Sequence, residues 1–241
     1  MNKTKSLSAI ICGIVLASGI TGAGYFIGQT MYNAKVALNT AEAKGLAERR
    51  VKANLVSWTL SFSVNSSHKT ELPLLYKRAE EIQKMIQKTL IKHGFDKGEI
   101  ELGVIDYHHK VLRNKEQKLL SENHILNSSI HIDSQKVDLI KAARTELNKL
   151  IAQGIDLNNQ APKYYYTNLN KIKPEMLKEA TQNARIAAGE FASHAGVKVG
   201  GIRNARQGNF YVRDAGSEYG DSNKLEKDVR VVTTITFYLD K

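Results

Sequence analysis

Cys12 is the only cysteine in the chain, and it stands inside an apolar run near the start. The rest of the chain therefore has no intrachain disulfide, no thiolate nucleophile and no cysteine metal ligand, so its stability has to come from packing. Charge is missing from residues 7–28, LSAIICGIVLASGITGAGYFIG. At about 1.5 Å per residue this stretch reaches roughly 33 Å as a helix, enough to cross the hydrocarbon core of a bilayer. Also absent is aromatic interleaving among the cations. The formal net charge is +11, yet the lysines are dispersed. That argues against nucleic acid and leaves anionic lipid head groups or envelope polymers as candidate partners.

The apolar run sets location. Lys3 and Lys5 lie directly before it, and the positive-inside bias puts residues 1–6 in the cytoplasm, 7–28 across the membrane as a single span, and the remainder outside. A secretory signal usually has a shorter apolar region, whereas here the run continues through Tyr25, Phe26 and Ile27, which favours a retained anchor. Small residues at Ala17, Gly19, Gly22 and Gly24 leave cleavage and release as the alternative. Gly24 and Gly28 form a GxxxG pair suited to seating a second helix, a candidate self-association site. Residues 29–50, with Ala34, Ala37, Ala41, Ala43 and Ala47 and no proline, are expected as a helical or flexible stalk.

Beyond the stalk the periodicities alternate between strand and helix. Val56, Trp58, Leu60, Phe62 and Val64 recur every second residue, a strand with one buried face. Val51, Ala53 and Leu55 lie on the opposite parity, which predicts a bulge or a doubly buried end near Leu55. A helix capped by Thr70, with Pro73 in its first turn, carries the stripe Leu72, Leu75, Ala79, Ile82, Ile86 and Leu90 and ends at Gly94. Residues 100–112 and 126–132 form an expected hairpin across a polar connection at 113–123. A second helix is capped by Ser134, buries Val137, Ile140, Ala143, Leu147 and Ile151, and stops at Gly154. Tyr164, Tyr165 and Tyr166 lie on a fourth strand candidate. This order predicts an α+β, ferredoxin-like βαββαβ lobe over 51–170.

A smaller second lobe is expected over 171–241. Pro174 marks the first turn of a long helix and Gly196 its end. Ala180, Ala184, Ala188 and Ala192 recur along it, a seam that suits close packing on a sheet or, alternatively, a subunit interface. Strands over 202–212 and 229–239 follow, separated by a polar loop at 213–228 that reads as a mobile contact loop or as disorder.

Chemistry is sparse. His108, His109, His124 and His131 fall on the expected hairpin, but strand alternation lets at most one of each pair converge, and no Asp or Glu is assigned to complete a zinc set. In Gly216-Ser217-Glu218-Tyr219-Gly220 the serine is second, not third, as a nucleophile elbow would need. Asp221-Ser222-Asn223 lacks the later glutamate of a calcium loop. No catalytic, cofactor-binding or metal residue is therefore expected, and no cofactor.

Several segments together resemble the SIMPL-domain proteins of the bacterial envelope. They are Lys44-Gly45-Leu46-Ala47-Glu48-Arg49-Arg50 leading into Trp58, Tyr164-Tyr165-Tyr166-Thr167 before Lys173-Pro174-Glu175-Met176, Gln207-Gly208-Asn209-Phe210, and Lys227-Asp228-Val229-Arg230-Val231-Val232. The resemblance implies an α+β envelope domain behind a signal or anchor, forming homo-oligomers, with no catalytic residues to carry over. The expected function is a non-enzymatic protein anchored in the bacterial inner membrane that acts outside the cytoplasm by self-association or partner binding. The alternatives are an envelope hydrolase or metal-dependent enzyme, and a binder of anionic glycan or lipid.

Overall fold

A computed structural model describes residues 3–35 and 39–240, with side chains described at 10–32 and 39–240. Met1 and Asn2 of the expected cytoplasmic tail, and positions 36–38 of the expected stalk, lie outside the described residues. The chain is α+β, with two antiparallel sheets behind an N-terminal apolar helix. In order the elements are α1 (Lys3–Lys35), β1 (Thr40–Lys52), β2 (Leu55–Ser66), α2 (Leu72–Lys92), β3 (Ile100–Leu102), β4 (Asp106–Arg113), β5 (Leu119–Ser134), α3 (Ile140–Ala152), β6 (Asp156–Asn159), β7 (Lys163–Tyr165), α4 (Leu169–His194), β8 (Lys198–Gln207), β9 (Tyr211–Asp214) and β10 (Glu226–Asp240).

Two compact units are each discontinuous in sequence. One takes residues 1–47, 175–209 and 231–241; the other takes 48–174 and 210–230. The piece 171–241, expected as a lobe of its own, is thus divided between them.

The larger unit is built on β2. Val56, Trp58, Leu60, Phe62 and Val64 point to one face and pack with Leu75, Ala79, Ile82, Ile86 and Leu90 of α2, Ile140, Ala143, Leu147 and Leu150 of α3, and Ile130 and Ile132 of β5. Each large aliphatic or aromatic side chain taken from water here contributes about 2 kcal/mol. Its six-stranded sheet has β5 and β2 at the centre, β3 and β4 along the outer edge of β5, and β6 and β7 along the outer edge of β2. The pairings among these strands are antiparallel.

In the smaller unit, α4 lies over β1. Ala43, Gly45 and Ala47 are the buried positions of β1, and Ala180, Ala184, Ala188 and Ala192 those of α4. A Cβ on Gly45 would stand 1.8 Å from Ala180 O and 2.4 Å from Ala184 N, so the two backbones meet where no side chain fits. β10 lies between β1 and β8 and adds Ile235 and Phe237 to this core.

Several expectations are corrected. Residues 40–52 are strand, not stalk, because their small alanines and glycine are the surface on which α4 packs. The parity switch at Leu55 is neither bulge nor double burial: β1 and β2 belong to different sheets. The expected single strands 100–112 and 202–212 are each two strands, broken at Gly103 and Gly208. There the glycine amide donates to Ser129 O at 2.8 Å and to Val232 O at 2.9 Å, and a Cβ would come within 2.7 and 2.4 Å of those same carbonyls. Thr70 and Ser134 cap no α-helix, since short 3-10 turns at Lys69–Glu71 and Val137–Leu139 come first. Pro174 sits inside α4, which begins five residues earlier. Ile151 is exposed, and Leu150 takes the buried place. Gly94, Gly154 and Gly196 follow their helices at φ 95°, 86° and 69°, as expected of C-terminal stops.

Candidate functional site

β4 and β5 form the hairpin the histidines were expected to occupy, but β5 begins at Leu119, well before the expected start at 126. The connection shrinks to residues 114–118, folded by Asn114. Its amide donates to Lys118 O, and its Oδ1 accepts from the amides of Glu116 and Lys118 at 3.0 and 2.8 Å. Residues 119–123 therefore lie in strand, paired with β4 alone. Their alternation is invisible in sequence because both faces there meet solvent. Glu122, which sequence reasoning placed in a loop and missed, is consequently a strand residue two positions from His124 on the same face.

The register sets His109 directly opposite His124. Their rings stack with centroids 4.7 Å apart and planes within 1°. His109 Nε2 lies 2.8 Å from Glu122 Oε1, and His124 Nε2 lies 3.3 Å from the same oxygen. His124 is 1% exposed. Its Nδ1 is hydrogen-bonded with the Tyr107 hydroxyl at 2.8 Å, while its Nε2 is buried with no hydrogen-bond partner, the approach to Glu122 being too poorly aligned to make one. One ligand atom each from His109, Glu122 and His124 lies within 4.8 Å of the other two. His131 is elsewhere, 3.1 Å from Thr59 Oγ1 and 3.1 Å from Asp133 Oδ2 on the solvent face, and His108 pairs opposite Ile125. One histidine from each expected pair converges, as strand alternation requires.

A concave feature of the larger unit, about 470 Å³, is lined by Arg49, Arg50, Arg213 and Arg230 together with Glu48, Glu218 and Asp228. Its cations are largely matched. Arg50 donates to both oxygens of Asp228 at 2.8 and 3.1 Å, Arg230 lies 3.4 Å from Glu48, and the Arg213 guanidinium lies over the Tyr211 ring. The hydrogen bond from Arg50, with the Gly216 amide, holds the Asp228 carboxyl below the usual carboxylate range. This is a charge-balanced surface, not a bare anion cradle.

The late loop is folded around Asp214 and Lys227. Asp214, 3% exposed, accepts from the Lys227 ammonium and from the amides of Asn223 and Lys224. Lys227 also donates to Asp221 O at 2.9 Å. Ser217 and Asp221 are thus parts of a folded connection. Tyr164 is half-buried against the core, and burial raises its phenol above the ordinary value.

Of the residues proposed for self-association, Ala180, Ala184, Ala188 and Ala192 are at most 2% exposed within their own unit. Gly24 and Gly28 lie on α1 with nothing within 4 Å of an added Cβ. The apolar part of α1 runs from Ile10 to Tyr32, 23 residues, none of it buried, and is long enough to span a bilayer. The hydroxyls of Ser18, Thr21 and Thr30 donate to the carbonyls of Val15, Ala17 and Phe26 at 2.8–2.9 Å, so these three are satisfied within the helix.

Residues 42–237 match the model of SIMPL, a family described as a protein of unknown function (DUF541). No curated protein matches the chain.

Proposed function

The chain belongs to the SIMPL family, and from that premise we propose that it is a membrane-anchored, non-enzymatic module of the bacterial envelope acting by self-association or partner binding. The carrying observation is the exposed apolar helix Ile10–Tyr32 followed within a few residues by β1 of the folded domain. A segment of that length and apolarity is stable in lipid, where the hydroxyls of Ser18, Thr21 and Thr30 need no water. Lys3 and Lys5 favour a cytoplasmic N-terminus and a domain on the outer side of the inner membrane.

Within this reading, association belongs to α1. The alanine seam is occupied from inside the chain, whereas Gly24 and Gly28 leave a face where a second helix backbone can approach. The larger unit's sheet, with β2 and β5 central and α2 and α3 packed with them, supports the ferredoxin-like description of that lobe.

Light scattering on the full chain in detergent micelles, together with cross-linking in cells, tests the proposal. A discrete oligomer that Gly24→Leu with Gly28→Leu disperses is the expected result. A strict monomer at micromolar concentration, with no cross-linked partner, would overturn it. Orientation is tested separately by a C-terminal reporter active only outside the cytoplasm.

A further inference from the structure

We propose that His109, Glu122 and His124 form a binding site for one divalent transition-metal ion of the zinc class. Imidazole nitrogen with carboxylate oxygen suits Zn²⁺ and its neighbours, and three protein ligands leave a fourth position for water. Ligand bonds near 2.0–2.1 Å in a tetrahedron put neighbouring ligand atoms about 3.3 Å apart. The separations from Glu122 Oε1 to His109 Nε2 and His124 Nε2, 2.8 and 3.3 Å, are close to that edge. The His109 and His124 rings are stacked and parallel, so sharing an ion requires one of them to leave the stack and aim its lone pair at the common point; His109, 41% exposed, has the room to turn.

His124 is what separates this arrangement from an ordinary surface ion pair. A hydrogen bond between His109 and Glu122 accounts for those two side chains. It leaves unexplained a histidine that is 1% exposed and whose Nε2 has no hydrogen-bond partner. An orphaned ring nitrogen away from water carries an uncompensated desolvation cost. A metal ion relieves that cost, because the neutral imidazole then presents its lone pair at Nε2 while Nδ1–H donates to the Tyr107 hydroxyl. Tyr107 thereby acts as the positioning residue that fixes the tautomer and ring plane of a ligand histidine. Its ring also stacks within 9° of His124, which limits rotation away from Glu122. The scaffold is rigid for the purpose: His124 pairs with Ser66 on one side and His109 on the other, between two neighbouring strands. Two neutral imidazoles and one carboxylate keep a net positive charge at a bound divalent ion, favouring a bound water or an anionic group in the remaining position.

The test is titration of the metal-free full chain in detergent with ZnCl₂ by calorimetry, with CoCl₂ as a spectroscopic probe. The expected result is one Zn²⁺ per chain at micromolar affinity or tighter, and a visible Co²⁺ absorption of tetrahedral strength. His109→Ala and Glu122→Gln, at exposed positions that leave the buried ring in place, each weaken binding by at least about tenfold, and Tyr107→Phe by about tenfold. His131→Ala leaves it unchanged. Absence of saturable binding would overturn the site. So would saturable binding that His109→Ala and Glu122→Gln leave intact. Neither result bears on anchoring or association through α1.

Discussion

The two units solve the same packing problem with opposite materials. In the smaller one, α4 meets β1 through Ala180, Ala184 and Ala188 against Ala43, Gly45 and Ala47, and the backbones come so close that one hydrogen of Gly45 fills the gap. In the larger one, α2 and α3 pack with β2 and β5 through Trp58, Phe62, Leu60, Ile86, Ile130, Ile132 and Leu147. Small residues gain stability from backbone proximity and dispersion, large ones from apolar area removed from water. The first contact tolerates no added volume; the second tolerates none removed.

Breaking that contrast takes substitutions of opposite sign. The largest effect is expected from Trp58→Ala, which empties a 1% exposed site and frees the Gln160 carbonyl that accepts from its indole Nε1 at 3.0 Å. A loss of about 4 kcal/mol follows, read as a lowered denaturant midpoint. Gly45→Ala adds one methyl and costs about 3 kcal/mol, because the clash is with the α4 backbone and no rotamer can relieve it. Equal stability of Gly45→Ala and wild type would show that the two backbones are further apart than described. Ala188→Gly, a loss of volume in the same seam, costs only about 1 kcal/mol, chiefly through helix propensity. A larger penalty there would make the small unit a jigsaw core like its neighbour.

Legibility in the sequence followed the same division. The larger core was plain, since Val56, Trp58, Leu60, Phe62 and Val64 alternate and Leu75, Ala79, Ile82, Ile86 and Leu90 repeat at helical spacing, each pattern marking one buried face. β1 was not, because Ala43, Gly45 and Ala47 carry too little hydrophobic contrast to show a period of two, and alanine favours helix by intrinsic propensity. β3 and β8 looked continuous with their successors because what breaks them, a glycine pressed on a carbonyl of the partner strand, is a tertiary contact. The candidate metal site was half legible. Alternation correctly allowed one histidine from each pair, but Glu122 sits where β5 has lost β2 as a neighbour and both faces are wet, so no pattern marked it as strand. The fold of the loop around Asp214 was not legible because it rests on ion pairing and amide contacts that composition cannot reveal.

Buried charge is a further point on which the units differ. Among the described residues the buried ionisable side chains Asp214, Lys227 and His124 all belong to the larger unit, while the smaller buries the hydroxyl of Thr233. Burial works to raise the Asp214 carboxyl, but the Lys227 ammonium and the amides of Lys224 and Asn223 outweigh it and hold the group below the usual carboxylate range. A carboxyl depressed on folding contributes stability that is fully present above its unfolded value, about 3.9, and is lost as pH falls through the lower folded one. The Asp214 contribution to the unfolding free energy should therefore be flat above about pH 5 and decline below about pH 4. Replacing both partners, Asp214→Asn with Lys227→Met, removes both charges but keeps an acceptor for only one of the two amides, which bond different oxygens of the Asp214 carboxylate. At pH 7 the change is expected to be a loss of about 1 kcal/mol, set by the amide left without an acceptor, since a buried pair and its apolar substitute otherwise come close to balancing. What should change is the acid limb, which becomes shallower. An identical limb in the double variant would assign acid sensitivity to other carboxyls depressed on folding, of which Asp228 and Glu99 lie in the same unit.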